Sequence, residues 1–381
     1  MQAMLALEDG RIFRGEGYGA QGECRGEVVF NTSLTGYQEI FTDPSYAGQI
    51  VVLTNPQIGN YGTNDADNEA RKPYIEGLVT REFSPISSNW RSQQVADEYL
   101  ERWKVPVISE IDTRALVRHL RNNGVMRGVI STVETNPDVL VEKARSIRKM
   151  DGTDLASVVS TKDRYEWEHD GPDPLRPEDS QRVERPDLHV VAYDYGIKKN
   201  ILRMLGQEGC RVTVVPAQTS AEDVLALKPD GIFLSNGPGD PAAVGYAAEA
   251  MRGVLGAGVP VFGICFGSQV MGRALGLQTY KLRFGHRGVN QPVQDLRTGR
   301  VQITSHNHGF AVAMPEAGET FGTAFGPAAV THVNLNDGVV EGLRLLDAPA
   351  FSVQYHPEAA PGPHDATDLF ETFAESMERH R

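Results

Sequence analysis

The sequence predicts an α/β protein whose second half is built on a parallel β-sheet. Three observations carry this prediction. From Leu188 onward, apolar strand-like segments alternate with helical ones, a pattern typical of βαβ units. A polar stretch with four prolines precedes this region and separates it from a first part of mixed strands and helices. The length of 381 residues favours two or three domains, and a 40% hydrophobic content is enough to form their cores.

The first part of the chain is predicted to be a loop-rich α+β domain. Short strands are expected at Glu27–Asn31, Gln49–Thr54 and Gly77–Thr80. The clearest helix begins after Asp112, which can cap it, and ends at Gly124. Many Gly, Asn and Pro residues between these segments indicate turns and loops.

The second part begins with alternating elements. In order they are a strand HVVAYDYG, a helix KKNILRMLGQEG, a strand CRVTVVPA, a helix AEDVLALKPD, and a strand and loop GIFLSNGPGD. Ligands of parallel sheets bind beyond the carboxyl ends of the strands, so functional residues are expected in the loops that follow strands. We assign residues 1–155 to the first domain, 156–186 to a linker and 187–381 to a flavodoxin-like parallel-sheet domain.

Composition excludes several classes of function. The formal net charge of −13 and the absence of a long basic run argue against nucleic acid as a partner. Three widely spaced cysteines form no disulfide framework, and no Cys/His motif indicates zinc, so no metal site is expected. The N-terminal segment lacks the pattern of a signal peptide, and no apolar stretch is long enough to span a membrane. We therefore expect a soluble, cytoplasmic protein without a membrane partner.

The segment VPVFGICFGSQVMGRALG contains the strongest chemical signal. An apolar run ends in Gly263-Ile264-Cys265-Phe266-Gly267, and a helix-forming stretch follows. This is the glycine-flanked nucleophile elbow, with Cys in place of Ser. Glycines are needed there because the tight strand-to-helix turn leaves no room for side chains. At the helix N-terminus, Cys265 would be favoured as a thiolate.

A nucleophilic cysteine needs a base, and His356 is the best-placed histidine. It follows the strand-like segment FSVQY, and Glu358 lies two residues further on. In an extended backbone, side chains at i and i+2 point the same way, so Glu358 could orient the imidazole of His356. By itself, the pair would more often be a surface histidine beside a solvated glutamate.

The third signal is the loop SNGPGDP after the strand GIFL. Gly237 and Gly239 allow a close approach of the backbone to a ligand and offer N–H groups to an oxyanion. Alone, this segment would be an ordinary turn. Three such segments in one domain, each following a strand, indicate an active site.

These motifs together resemble those of the class I (triad) glutamine amidotransferases. Over its whole length, the chain is similar to the small, glutaminase subunits of carbamoyl-phosphate synthetase, a resemblance that rests on several further segments. They are LEDG (7–10), GEVVFNTSLTGYQEIFTDPSYAGQI (26–50), IGNYGTNDAD (58–67), DTRALVRHLRNNG (112–124), DGTDL (151–155), SHNHGF (305–310) and PEAAPGPHD (357–365). The resemblance implies a swivelling β/β/α-type fold for the first domain.

The resemblance also implies a role for each site residue. Cys265 would attack the side-chain amide of glutamine, His356 would transfer protons and Glu358 would orient His356, with a γ-glutamyl thioester as intermediate. The backbone N–H groups of Gly239 and Phe266 would form the oxyanion hole. The residues implied in glutamine binding are Ser45, Gly237, Gly239, Phe266, Gln269, Asn307, Gly309 and Phe310. Ser45 belongs to the first domain, which implies a glutamine site at the domain interface.

The family resemblance further implies a heterodimer, in which a large subunit uses the released ammonia, ATP, Mg²⁺ and bicarbonate to make carbamoyl phosphate for arginine and pyrimidine synthesis. No GxxxxGK[ST] loop occurs in the sequence, so ATP is expected on the partner and no cofactor on this chain. The alternatives are a glutaminase subunit of another synthetase, a peptidase with the same elbow, and a non-catalytic regulatory subunit.

The remaining candidate residues receive no catalytic role. His306 and His308 are interpreted as loop residues that pack or form hydrogen bonds near the pocket. One departure from the family pattern is Ser268, where many relatives carry histidine. Also set aside are His364 and Asp365, which lie in a proline-containing turn, and Cys24 and Cys210, which have no elbow and are expected to be inert.

Overall fold

The computed structural model describes residues 1–168, 183–185 and 187–381. The chain divides into two compact units, Met1–Asp151 and Gly152–Arg381. The predicted linker, 156–186, lies partly outside the described residues, and its assignment stays a prediction. In the described parts of the chain, no helix has the length and hydropathy that a membrane crossing requires.

The first unit is a closed barrel with helices around it. Its strands are β1 (Gln2–Leu7), β2 (Ile12–Gly19), β3 (Glu23–Asn31), β4 (Gln49–Leu53), β5 (Gln57–Ile58), β6 (Gly77–Val79), β7 (Glu82–Phe83), β8 (Pro106–Ser109) and β9 (Met126–Ser131). Its helices are α1 (Tyr37–Thr42), α2 (Ala96–Arg102), α3 (Thr113–Asn123) and α4 (Pro137–Ser146). The barrel order is β1-β2-β8-β6-β4-β3-β9, and β5 pairs separately with β7.

Local sequence signals account for the elements predicted in this unit. Strands β3, β4 and β6 lie where the apolar runs were found, and β4 is buried along its whole length. Helix α3 is capped by the side chain of Asp112, which accepts a hydrogen bond from the N–H of Ala115, and it ends at Gly124 with a φ of 94°. Closure of the barrel was not predicted, because it depends on the antiparallel pairing of β1 with β9, more than 100 residues apart.

The second unit contains the remaining elements. Its strands are β10 (Tyr165–Trp167), β11 (Leu188–Asp194), β12 (Cys210–Pro216), β13 (Gly231–Leu234), β14 (Val261–Ile264), β15 (Thr279–Asp295), β16 (Val301–Val312), β17 (Thr320–Thr323), β18 (Gly326–Asn334), β19 (Val340–Leu345) and β20 (Ala350–Val353). Its helices are α5 (Ala156–Val159), α6 (Lys199–Gln207), α7 (Ala221–Ala226), α8 (Gly245–Ala257), α9 (Phe266–Ala274) and α10 (Asp368–His380).

The centre of this unit is a parallel sheet with the strand order β12-β11-β13-β14-β20. This is the 2-1-3-4-5 order of flavodoxin-like folds, and it confirms the predicted fold class. Beyond β20 the sheet continues with antiparallel strands in the order β19, β18, β15 and β16. This antiparallel extension was not predicted from the alternating pattern.

Apolar residues cover both faces of the parallel sheet. On one face the core includes Met251 of α8 and Val270 of α9, and on the other Ile201 of α6 and Phe373 of α10. Burial on two faces explains why the strands read as continuous apolar runs. It also leaves the carboxyl ends of β13, β14 and β20 as the positions from which polar residues can reach one another.

Candidate active site

Cys265 lies at the junction between β14 and α9, in the elbow that the sequence predicted. Its φ of 54° and ψ of −103° belong to a sparsely populated region that costs about 1–3 kcal/mol. A Cβ atom on Gly267 would lie 2.2 Å from the carbonyl oxygen of Leu234, and one on Gly263 would lie 3.0 Å from the backbone of Gly267. Crowding of the backbone therefore requires glycine at position 267 and leaves little room for a side chain at position 263.

The surroundings of Cys265 combine burial with hydrogen-bonding backbone groups. The residue is 2% exposed, and its Sγ lies 3.6 Å from the carbonyl oxygen of Asn307. It precedes the first turn of α9, where backbone N–H groups have no intrahelical acceptor and the helix dipole favours negative charge. This position suits a thiolate nucleophile.

His356 and Glu358 follow β20 and form a buried hydrogen-bonded pair. The Nδ1 atom of His356 lies 2.7 Å from Oε1 of Glu358, and the two residues are 3% and 0% exposed. The backbone N–H of His356 donates to the carbonyl oxygen of Ser305 on β16. The pair forms across a turn, so the expected extended i, i+2 geometry is wrong although the two side chains meet.

Neighbouring charges shift the pKa values of His356 and Glu358 in opposite directions. Burial lowers the pKa of His356, but the negative charges of Glu358 and Cys265 outweigh burial and raise this pKa to about 10. Burial also raises the pKa of Glu358, yet the positive charges of Lys198 and His356 lower it to about 2. These shifts favour an imidazolium beside an ionised carboxylate, the charge arrangement of an activated Cys–His pair.

Lys198 also contacts this pair, although no role was predicted for it from the sequence. It is 3% exposed, and its Nζ donates to Oε1 of Glu358 at 3.0 Å and to the carbonyl oxygen of Ala359 at 2.7 Å. The side-chain amide of Asn200 donates to the backbone oxygen of Glu358 at 2.5 Å. Its position in the sequence could have identified it as a candidate, because Lys198 follows the carboxyl end of β11, where ligand-binding residues of such sheets occur.

The loop after β13 places two glycines next to other backbone segments. A Cβ atom on Gly237 would lie 2.3 Å from the carbonyl oxygen of Tyr195, and Gly239 has a φ of 91°. The hydroxyl of Ser235 accepts from the N–H of Tyr195 and donates to the carbonyl oxygen of Asn236. The loop is thus held in a fixed conformation, as backbone donors to an oxyanion must be.

Several predicted glutamine-binding residues meet between α9 and β16. The side-chain amide of Gln269 donates to the carbonyl oxygen of Phe310 at 2.8 Å and to Oε1 of Gln354 at 3.0 Å. The Cys265–Asn307 contact joins the same helix start and strand. Phe266 is the first residue of α9, and Gly309 lies on β16 beside Phe310.

Ser45 lies in the first unit, within a short 3₁₀ helix, Pro44–Tyr46. It is buried, and its backbone N–H donates to the carboxylate of Asp43 at 2.8 Å. Its contact with glutamine stays a prediction.

Two of the residues given no catalytic role have a different setting from the one predicted. His306 and His308 lie on strand β16, so their interpretation as loop residues is wrong. Both are buried and hydrogen-bonded. Cys24 and Cys210 are buried, and burial raises the pKa of the Cys24 thiol well above its usual range.

Family models match both units of the chain. The model described as "Carbamoyl-phosphate synthase small chain, CPSase domain" matches residues 5–130, and the model "Glutamine amidotransferase class-I" matches residues 191–376.

Curated relatives match over the full length. The chain is 55% identical to the carbamoyl phosphate synthase small chain of Syntrophotalea carbinolica, over 100% of this chain and 99% of the relative. It is 51% identical to the small chain of Thermosynechococcus vestitus, and the match spans 100% of this chain and 97% of that protein. It is 52% identical to the small chain of Mycolicibacterium paratuberculosis, and that match spans 100% of this chain and 99% of that protein. The chain belongs to the carbamoyl phosphate synthase small-chain family.

Membership in this family confirms the resemblance found in the sequence and distinguishes the alternatives. The amidotransferase match lies in the second unit and contains Cys265, His356 and Glu358. The match in the first unit is specific to the small chains, which argues against another synthetase or a peptidase. The chain is therefore the glutamine-hydrolysing type of subunit.

Ser268, the residue interpreted above as a departure from the family pattern, is buried and makes a local contact. Its hydroxyl lies 2.9 Å from that of Ser352 on β20, and it is 2% exposed. The chain thus has a short hydroxyl–hydroxyl contact at this position.

Proposed function

We propose that this small chain hydrolyses L-glutamine to glutamate and ammonia through a thioester on Cys265. The observation that carries the proposal is the position of Cys265, at a strained elbow and a helix N-terminus, in the same buried cluster of charges as His356 and Glu358. An activated cysteine of this kind suits attack on a carboxamide.

The reaction proceeds in two steps that share the same groups. The Sγ atom of Cys265 bonds to the side-chain carbonyl carbon of glutamine, and the oxygen becomes an oxyanion bound by the N–H groups of Gly239 and Phe266. His356 gives its proton to the departing nitrogen, and ammonia leaves as the C–N bond breaks. Water then attacks the thioester, His356 takes a proton from the water, and glutamate and the thiolate are regenerated.

The buried charges support this proton transfer. Glu358 holds the Nδ1 side of His356 and stabilises the imidazolium, as the acid of a triad does. Lys198 keeps Glu358 ionised through its direct contact with the carboxylate. We assign glutamine binding to Ser45, Gly237, Gln269, Asn307, Gly309 and Phe310, together with the two oxyanion donors.

The ammonia is passed to a large subunit, with which this chain forms a heterodimer. The relatives are named as small chains of carbamoyl phosphate synthase, which implies such a partner. We assign ATP, Mg²⁺ and bicarbonate to the partner and no cofactor for glutamine hydrolysis to this chain. The product, carbamoyl phosphate, would serve arginine and pyrimidine synthesis in the cytoplasm.

The test is reconstitution of the chain with the large subunit of the same organism. Cys265→Ala should abolish glutamine-dependent synthesis but leave ammonia-dependent synthesis intact, because the synthetase chemistry lies on the partner. Acid quenching with radiolabelled glutamine should trap a covalent adduct on the wild-type chain and none on the variant. The control is Cys210→Ala, at a buried cysteine that begins β12 and is assigned no role in the chemistry.

Substantial glutaminase activity in Cys265→Ala would overturn the proposal. A wild-type chain that binds glutamine without turnover would instead indicate the non-catalytic regulatory subunit.

A further inference from the structure

We infer that His286, His306, His308 and Glu341 bind one Zn²⁺ ion within the second unit. These residues lie on β15, β16 and β19, and no metal site was expected from the sequence. Each offers one ligand atom, and the four atoms lie within 4.8 Å of one another. All four residues are buried, and Glu341 is 0% exposed.

The spacing of the ligand atoms fits a tetrahedral ion. Zinc binds nitrogen and carboxylate oxygen at about 2.0–2.1 Å, which places neighbouring ligand atoms about 3.3 Å apart. Nδ1 of His306 lies 3.2 Å from Nε2 of His308 and 3.7 Å from Oε1 of Glu341. Nδ1 of His286 lies 3.6 Å from the same Glu341 oxygen. Only a slight rearrangement is therefore needed to place an ion between them.

The opposite nitrogen of each imidazole already has the kind of partner that metal-bound histidines have. Ligating histidines direct their other nitrogen to a carboxylate, a carbonyl oxygen or another polar group, which fixes the tautomer. Nε2 of His286 lies 2.8 Å from the carboxylate of Asp337. Nδ1 of His308 lies 2.9 Å from the carbonyl oxygen of Phe310. The third ring follows the same pattern, since Nε2 of His306 lies 2.8 Å from the Thr304 hydroxyl.

Two atoms of the cluster lack a hydrogen-bond partner in the part of the chain that the structure describes. They are Nδ1 of His286 and Oε2 of Glu341, both fully buried. Burying an unsatisfied polar atom costs about 1–3 kcal/mol, and more for a charged group. A divalent cation would satisfy the nitrogen and offset the charge of the carboxylate.

Ligand type and number identify the ion and its role. Three imidazoles and one carboxylate suit borderline transition metals, of which Zn²⁺ is the usual tetrahedral ion. Four protein ligands leave no open position for a water or substrate, which is the mark of a structural site. The ion would hold three antiparallel strands together, including β16, which bears Asn307 and Phe310.

The first experiment measures binding by the intact wild-type chain. The chain purified without chelator, or stripped and then given Zn²⁺ alone, should hold one equivalent by elemental analysis, and its thermal midpoint should rise with Zn²⁺. Co²⁺ in place of Zn²⁺ should give visible d–d absorption of tetrahedral intensity, and Zn²⁺ should displace it. No bound metal, no thermal shift and no tetrahedral Co²⁺ spectrum would overturn the inference.

The second experiment locates the ion with variants. His286→Asn and Glu341→Gln should each lose the bound equivalent and the Zn²⁺-dependent thermal shift. The matched control is His332→Asn, at a buried histidine of β18 outside the cluster, which should retain both. If either ligand variant fails to fold, the Co²⁺ spectrum of the wild-type chain still tests whether a tetrahedral metal site exists. A folded His286→Asn with full metal content would place the ion elsewhere and overturn the inference.

Discussion

At the scale of single residues, the candidate active site is a row of alternating charges. Lys198 contacts Glu358, Glu358 contacts His356, and the charge of His356 interacts with that of Cys265. All four residues are at least 97% buried, so each charge depends on its neighbour for the solvation that water would otherwise supply. A change at one member should therefore alter the protonation of the next.

The first prediction compares the contributions of Glu358 and His356 to glutamine hydrolysis. Glu358→Gln keeps the size of the side chain but removes the charge that is proposed to stabilise the imidazolium, whereas His356→Asn removes the proposed proton carrier. Glu358→Gln should therefore lower kcat for glutamine hydrolysis less than His356→Asn does, by about one to two orders of magnitude. Steady-state kinetics of both variants, with circular dichroism to verify folding, provide the measurement. Equal loss of activity in the two variants would mean that Glu358 contributes as much to kcat as His356 does.

The second prediction concerns Ser45. If its side chain contacts the amino-acid end of glutamine in both the ground state and the transition state, Ser45→Ala removes uniform binding. The KM for glutamine should then rise several-fold while kcat stays nearly constant. Ser33→Ala, at another buried serine of the first unit, is the control and should leave KM unchanged. An unaltered KM in Ser45→Ala would remove Ser45 from the glutamine site.

At the scale of elements, the nucleophile elbow depends on how closely α9 packs against β13. The third prediction is that Gly267→Ala destabilises the chain by about 1–3 kcal/mol, because its Cβ would lie 2.2 Å from the carbonyl oxygen of Leu234. The control is Gly256→Ala in α8, where no atom lies within 4 Å of the added Cβ. That change should stabilise by up to about 1 kcal/mol through helix propensity. Denaturant midpoints measure the stability of both variants. A Gly267→Ala variant as stable as the wild type would contradict the packing argument.

The fourth prediction concerns His332 on β18, in the antiparallel extension of the sheet, and the pH dependence of folding stability that it causes. Burial lowers the pKa of His332 to about 4, and the charge of Arg297 lowers it further while that of Asp295 acts in the opposite direction. In the unfolded chain the imidazole has its ordinary pKa of about 6.5. Between these values the unfolded state binds the proton and the folded state does not. Stability is therefore full above about pH 6.5 and is lost as pH falls toward about 4, by up to about 3 kcal/mol.

The measurement for His332 compares denaturation of the wild type and His332→Asn at about pH 7.5 and about pH 5. The other titrating groups are common to both proteins, so the difference between them isolates this histidine. The wild type should lose more stability on acidification than the variant. An equal loss in both proteins would mean that His332 does not titrate in this range.

At the scale of the whole molecule, the fifth prediction is that glutamine hydrolysis is coupled to the partner. Ammonia released at Cys265 would be protonated and lost in bulk water unless the large subunit received it. Hydrolysis should therefore be slow in the isolated chain and faster when the partner is bound and turning over. Small misplacements of catalytic groups cost about 100-fold in rate, so a docked partner that improves their alignment would have a large effect.

The coupling is measured as glutaminase turnover under three conditions: the chain alone, with the large subunit, and with the large subunit plus ATP and bicarbonate. The rates should increase in that order. Identical rates would refute the coupling, and carbamoyl phosphate made by the isolated chain would refute the division of labour between subunits.

Features that short-range patterns encode could be predicted from the sequence alone. Alternating apolar and helical segments were sufficient for the parallel sheet, because strand burial and helix caps are local properties. The elbow at Cys265 was predictable for the same reason, since its two glycines and its nucleophile lie within five residues. His356 and Glu358 were found because they are two residues apart, although the turn that joins them was taken for a strand.

Contacts between residues that are far apart in the sequence became visible only in the folded chain. Lys198 contacts Glu358 across 160 positions, and no local pattern distinguishes a buried, ion-paired lysine from a solvated one. The cluster of His286, His306, His308 and Glu341 brings together residues of three strands, of which β15 and β16 pair antiparallel with His286 opposite His308. Closure of the barrel likewise depends on the pairing of β1 with β9. Such contacts follow from packing and strand register, which are properties of the whole fold and not of any segment.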